Sequence, residues 1–284
     1  MVKAKSYKSP YVLDTIKNNE SVTALTKKNA EFIEAVVHLD SNYGSDLNKN
    51  NKPANGYDPE LYDDPNKSFS RDKRGSTAYW FNQTAQGNAD FRKCILGAII
   101  AIDSVNSTHL DASQKSSTDN TTGRKAMRDI ICDCCKDFNG LVEKLNQPFD
   151  ASTPDHLICL LTGGMVSKKD KNHRYNISFA TKFCAYAAMF LGSEVKKRYS
   201  KYDRVVANAL PTYEEIYLSP KKVGNYRIDY NKEKGLKDED KLRKRLEVYA
   251  RYDQTIGEIL AVLQKDGIRL TREEFDHIVW YTNK

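Results

Sequence analysis

Two residues in the stretch ISFATKFCAYAAMFLGSEVKKRYSKYDRVVANAL, residues 177 to 210, have the types and spacing to do chemistry together. Lys182 lies in a helical pattern that is otherwise almost wholly apolar. Asp203 stands 21 residues later, at the start of a second helical pattern. An amine held among apolar groups gives up its proton more readily than one in water, because burial penalises the charged form. The neutral amine is the form that attacks electrophilic carbon and makes Schiff bases. A carboxylate at a helix N-terminus is fixed in position and kept ionised, which suits a site where positive charge develops. Each residue also has a purely structural reading. The lysine stem would cover apolar surface while its head reaches water, and Ser200 with Asp203 has the spacing of a capping box.

The element carrying Lys182 has two apolar stripes. Ile177, Ala180, Cys184, Ala187 and Leu191 form one, and Phe179, Phe183, Tyr186 and Phe190 form the other. The narrow gap between them holds Ser178, Thr181, Lys182, Ala185 and Met189. A helix apolar around most of its circumference belongs at the centre of a fold. Helical periods dominate elsewhere too. Residues 21–39 place Val22, Leu25, Phe32, Val36 and Leu39 on one face. Further helices are expected over 88–105 and 124–147, and over 153–164 with Thr153 as N-cap and Pro154 in the first turn. In the last third, Gly267 stops one helix, and Thr271 and Glu274 open another with a capping box.

Residues 40–75, 106–123 and 219–240 are polar and lack periodicity. The expected class is all-α with long polar loops and at most a minor strand or two. The expected organisation is an N-terminal extension over 1–80, a helix plus a long polar loop, followed by a helical domain over 81–284.

The 284-residue chain carries a formal net charge of +7, which is compatible with a polyanionic partner. No apolar run approaches the roughly 20 residues of a membrane span. The opening MVKAKSYKSPYVLD lacks the apolar core of a secretory signal. A cytoplasmic protein with no membrane association is therefore expected. Cys94, Cys132, Cys134, Cys135, Cys159 and Cys184 fit no zinc spacing and read as reduced, buried thiols. No metal and no cofactor is expected.

The stretch ISFATKFCAYA…YSKYDRVVANALP resembles the core of the helix-hairpin-helix DNA glycosylase superfamily, in its 8-oxoguanine-glycosylase-like branch. In that family a lysine follows the hairpin at the start of a helix, and an aspartate lies roughly 20 residues later at the head of the next. The chain also resembles bacterial proteins assigned this fold, which carry SFATK…YDS and EFDKFLW-type segments; EEFDHIVW at 273–280 is the counterpart here. The resemblance spans residues 150–284 and implies a helix-hairpin-helix glycosylase-like bundle. It implies removal of a damaged or modified base from double-stranded DNA, strand cleavage at the abasic site as a second activity, and a setting such as phage–host conflict. Lys182 would attack the sugar C1′ and Asp203 would stabilise the developing cation.

The family's Leu-Pro-Gly-x-Gly hairpin is replaced here by HRYNISFATK, which has no glycine. Lys168, Lys169, Lys171, His173 and Arg174 then stand as the phosphate contacts. A flipped base needs aromatic faces and polar readers. Tyr79, Trp80, Phe81, Asn82, Gln83, Phe179, Phe183, Tyr202, His277 and Trp280 are the candidates, with Tyr281 beside them. The missing glycines and the unmatched first 80 residues support an alternative on the same fold. That alternative is a catalytically inactive DNA- or protein-binding module, such as an assembly or inhibitor protein, with a protein partner held through the N-terminal extension. Replacing Lys168, Lys169, Lys171 and Arg174 by alanine is expected to flatten the salt dependence of duplex binding, by about 0.9 in log–log slope for each phosphate no longer neutralised. Titrations across a salt series check this, and an unchanged slope would make the loop ordinary solvated surface.

Overall fold

The structure, a computed structural model, describes residues 13–39, 77–85, 90–106, 110, 114–116, 123–167 and 173–283. The expected loop over 40–75 lies outside the described residues, as do Lys168, Lys169 and Lys171. Helix is the dominant element. In chain order the elements are β1 (Thr15–Ile16), β2 (Asn19–Thr23), α1 (Lys27–Leu39), α2 (Thr77–Ala85), α3 (Phe91–Asn106), β3 (Gln114–Ser116), α4 (Gly123–Cys135), α5 (Phe138–Asn146) and α6 (Leu157–Gly163). They continue with β4 (Met165–Ser167), β5 (His173–Arg174), α7 (Ile177–Phe190), α8 (Arg204–Leu218), α9 (Asp238–Lys265) and α10 (Arg272–Asn283).

The helix expected from residue 21 begins only at Lys27. Thr26 acts as its N-cap, its hydroxyl accepting the Asn29 amide at 3.1 Å. The residues before it pair as the antiparallel ribbon β1–β2, where β-branched Val22 and Thr23 favour a strand. The single helix expected over 124–147 is two. Lys136 adopts φ +65°, and Asp137 then caps α5 by accepting the Gly140 amide at 2.9 Å. Gly140 permits the tight corner, since a Cβ there would meet the Cys135 carbonyl oxygen at 1.8 Å. α6 begins three residues later than expected, with His156 rather than Thr153 as its N-cap. Strands also exceed the minor one or two expected: among the described residues there are five, each two to five residues long. β3, β4 and β5 form an antiparallel sheet in which β4 and β5, from the connection between α6 and α7, pair with each other and β4 pairs with β3 from before α4.

α7 is the central helix. It packs against α2, α3 and α6, and Phe179, Ala180, Phe183, Cys184, Ala187 and Ala188 are essentially inaccessible. The aromatic stripe meets Phe81 of α2, whose ring lies 5.5 Å from that of Phe183. Five of the six cysteines are buried and all six are free, with Cys134 half-buried.

The first described segment joins this same core. Leu25, Ala30 and Ile33 are fully covered, and α1 packs on α10. The Tyr213 hydroxyl donates to the Thr23 carbonyl at 3.2 Å, and Tyr217 accepts the Leu25 amide at 3.2 Å.

The capping box at the start of α10 forms as expected. Glu274 accepts the Thr271 amide at 2.7 Å, and the Thr271 hydroxyl accepts the Glu274 amide at 3.1 Å. Glu274 also pairs with Lys27 of α1. Burial alone would push the Glu274 carboxyl up, but Lys27 and Thr271 hold it below the ordinary glutamate value. A depressed carboxyl contributes stability that is present above its unfolded pKa and is lost as pH falls through the folded one. Glu274→Gln is therefore expected to cost about 1 kcal/mol near neutral pH. The difference from wild type should shrink as the solution is acidified below the ordinary glutamate range. Denaturant melts at several pH values measure it.

Candidate functional site

Lys182 sits in the second turn of α7 with 8% of its surface exposed. Asp203 is the N-cap of α8, its carboxylate accepting the Val205 amide at 2.7 Å. The expected capping box with Ser200 is absent, because the helix starts three residues later than that spacing requires. Ser200 instead belongs to a non-helical segment, Tyr199–Asp203, whose residues Tyr199 to Tyr202 are buried and bonded to α7, α9 and α10, with Asp203 half-buried at its end.

Side chains satisfy this segment's backbone. The Ser200 amide donates to Asp253 Oδ1 at 2.8 Å, and the Tyr202 amide to Thr181 Oγ1 at 3.0 Å. The Tyr249 and Tyr252 hydroxyls donate to the carbonyls of Ser200 and Lys201, at 3.0 and 2.9 Å. Arg272 of α10 binds Asp253 at 3.0 Å and the Ser200 hydroxyl, closing the segment from the far side.

The Thr181–Tyr202 bond sets the central juxtaposition. It joins the residue before Lys182 to the residue between Lys201 and Asp203. Burial pulls the Lys182 ammonium below the ordinary lysine value; Asp203 and then Asp276 oppose this, and Lys201 reinforces it. Among the described residues no carboxylate lies within ion-pair distance of Lys182, so its neighbours act on it through space.

A second buried lysine, Lys201, is shifted in the opposite direction. The Lys201 Nζ is 2.6 Å from Glu273 Oε1 and 3.3 Å from Asp276 Oδ2, and it sits 5.1 Å over the Tyr186 ring. Burial alone would pull Lys201 down, yet Tyr186, Asp276 and Glu273 together hold it well above the ordinary lysine value. Burial likewise opposes ionisation of Glu273, but Lys201 and then His277 bring that carboxyl down to about 2. Asp276 keeps a raised pKa because burial outweighs the help it receives from Lys201. Its Oδ1 and the His277 Nδ1 are buried without a hydrogen-bond partner among the described residues.

The other candidate residues take varied positions. Phe81, Phe179 and Phe183 are wholly covered and cannot stack on a base in this conformation. Tyr202 is also buried, its hydroxyl donating to the Tyr226 carbonyl at 2.9 Å. Trp80 lies flat on α3, where Gly97 makes room: a Cβ at that glycine would fall 2.2 Å from the indole. Tyr79 meets Trp80 edge-on at 5.1 Å. Asn82 is exposed and Gln83 half-buried on α2. On α10, His277 places Nε2 at 3.0 Å from Glu273, while Trp280 and Tyr281 are half-buried against the core.

His173 and Arg174 are exposed on β5. They line a cavity of about 560 Å³ at the N-terminus of α7, together with the acidic Glu233 and Asp238 and the basic Lys234, Lys241 and Arg245. Among the described residues no group of three or more His, Cys, Asp and Glu is arranged to hold a metal. No described helix is long and apolar enough to cross a membrane.

Sequence reasoning missed Lys201, Glu273, Asp276 and the Tyr249–Tyr252–Asp253 face. The signals were there. Lys201 is flanked by Ser and Tyr in the same short motif that carries Asp203, and 249, 252 and 253 share one helix face. Comparison with protein-family models, curated proteins and solved structures returns no match. Thr181→Val is expected to leave the Tyr202 amide unpaired, costing about 1–3 kcal/mol in denaturant melts.

Proposed function

We propose that the chain is a DNA glycosylase with strand-cleaving activity at the abasic site, acting on a damaged or modified base in duplex DNA. The observation that carries this is the convergence of a nearly enclosed, unpaired lysine with a capped aspartate across the single Thr181–Tyr202 hydrogen bond. Lys182 Nζ forms a bond to C1′ as the glycosidic bond breaks. That bond's electron pair leaves with the base. The nitrogen then loses its protons as the sugar ring opens to the imine. Asp203, held by the Val205 amide, faces the positive charge that develops on the sugar. The cavity at the start of α7 offers a place for the DNA backbone, since helix N-termini and basic side chains both favour phosphate, although Glu233 and Asp238 also line it and pair with Arg245 and Lys241.

A second reading has its own support. Strands β4 and β5 occupy the connection before α7, and residues 173–182 contain no glycine to let a backbone amide approach a phosphate closely. This favours a module that binds DNA or another protein without catalysis.

Borohydride trapping on duplexes carrying a panel of damaged and modified bases separates the two. The glycosylase reading expects a covalent complex that Lys182→Gln abolishes while the fold persists. It also expects Asp203→Asn to slow base release by about 10²–10³-fold at equal folded fraction. Duplex binding with no trapping and no released base across the panel would leave the non-catalytic module.

A further inference from the structure

Two lysines are buried in the same region, and among the described residues only Lys201 of the two has carboxylate partners within ion-pair distance. The Tyr202 amide is bonded to Thr181, which brings the chain on either side of Lys201 against the turn of α7 that bears Lys182, and the two lysines act on each other through space. The groups facing this pair come from every element around it. α7 contributes Lys182 and Tyr186, the Tyr199–Asp203 segment Lys201 and Asp203, α9 Tyr252, and α10 Glu273, Asp276 and His277. Asp276 on α10 acts on both lysines, and Glu273 acts on Lys201. Lys201 takes both carboxylates, at 2.6 and 3.3 Å.

We propose that Lys201 is the counter-ion that occupies Glu273 and Asp276, so that Lys182 is left without a carboxylate partner and stands as an uncharged amine. A buried ammonium is tolerated only when paired, and an unpaired one neutralises instead. A fixed positive charge next to a desolvated lysine is itself a device for activating an amine. Lys201 is a positioning residue in this scheme: it touches no substrate and acts through Lys182. The use of the amine as a nucleophile rests on the glycosylase reading, but its protonation state does not.

Removing Lys201 has a defined sign. Lys201→Met deletes the positive charge that opposes protonation of Lys182 and leaves Asp276, which favours it, without its counter-ion. Loss of the opposing charge favours the protonated form of Lys182. The pH midpoint for acetylation of Lys182 by acetic anhydride, read by mass spectrometry against the denatured chain, should rise. A rise of one unit slows labelling about tenfold at any pH below the midpoint. Lys201→Arg keeps the charge and should keep the wild-type midpoint. Lys201→Met combined with Glu273→Gln and Asp276→Asn removes the orphaned carboxylates and should restore it.

An unmoved midpoint in folded Lys201→Met overturns the proposal, as does a failure of the triple variant to restore it. If Lys201→Met does not fold, Lys201→Gln takes its place: a raised midpoint supports the proposal, and a midpoint like wild type overturns it. The measurement uses no DNA. The expected labelling with no borohydride trapping would therefore reject the glycosylase reading while leaving this inference standing.

Discussion

The arrangement depends on one non-helical segment, Tyr199–Asp203, that is buried through Tyr202 and lies in no strand ladder. A buried backbone group without a partner costs about 1–3 kcal/mol, so side chains must supply every bond a sheet would have made. Thr181 does so from α7, Asp253, Tyr249 and Tyr252 from α9. The segment is thereby fixed to two helices at once. Lys201 and Asp203 both act on Lys182, while Tyr202 between them is buried in the core.

Burial poses the same problem to both lysines and is answered in two ways. Lys201, 6% exposed, keeps its charge because two carboxylates and an aromatic face surround the ammonium. Lys182, equally covered, has no carboxylate in contact and is driven toward the neutral form. The cost of ionising a group away from water is several kcal/mol unless a partner offsets it. The choice of which lysine is paired is therefore also the choice of which is pushed toward the amine form. Asp203 opposes this through space, but burial outweighs it and the Lys182 ammonium stays below the ordinary lysine value.

Much of this was legible in the sequence, for reasons that separate by range. The period of α7 and its nearly complete burial follow from the composition of fourteen residues. The Thr271–Glu274 box follows from two residues three apart, and the Gly267 stop from one glycine at φ +82°. What failed was local competition at boundaries. Val22 and Thr23 have a helical period but β-branched side chains, and pairing with β1 decided the matter. Lys136 and Asp137 offered no sequence sign of a break beyond a capping residue, and the corner depends on Gly140 lying against Cys135. The ion network was illegible because its partners come from residues 182, 201, 273 and 276. A helix face with Glu273, Asp276 and His277 reads as solvated until α10 is known to pack on the segment holding Lys201.

α10 then links parts of the chain that sequence reading kept apart. One side of its first turn carries Glu274, which pairs with Lys27 and closes the cap at Thr271. The next positions, Glu273 and Asp276, hold Lys201, and Arg272 clamps Asp253 to Ser200. The same helix packs its apolar side, Phe275, Ile278 and Val279, into the core shared with Leu25 and Ile33. The described N-terminal residues therefore press on the face of α10 opposite the network. A shift of α10 that loosened its packing on α1 would also move the carboxylates holding Lys201. Through Lys201 it would change the charge balance at Lys182, about one turn inside a different helix. The geometry of the amine is thus set jointly by the central helix that bears it and by the terminal helix that keeps its competitor occupied.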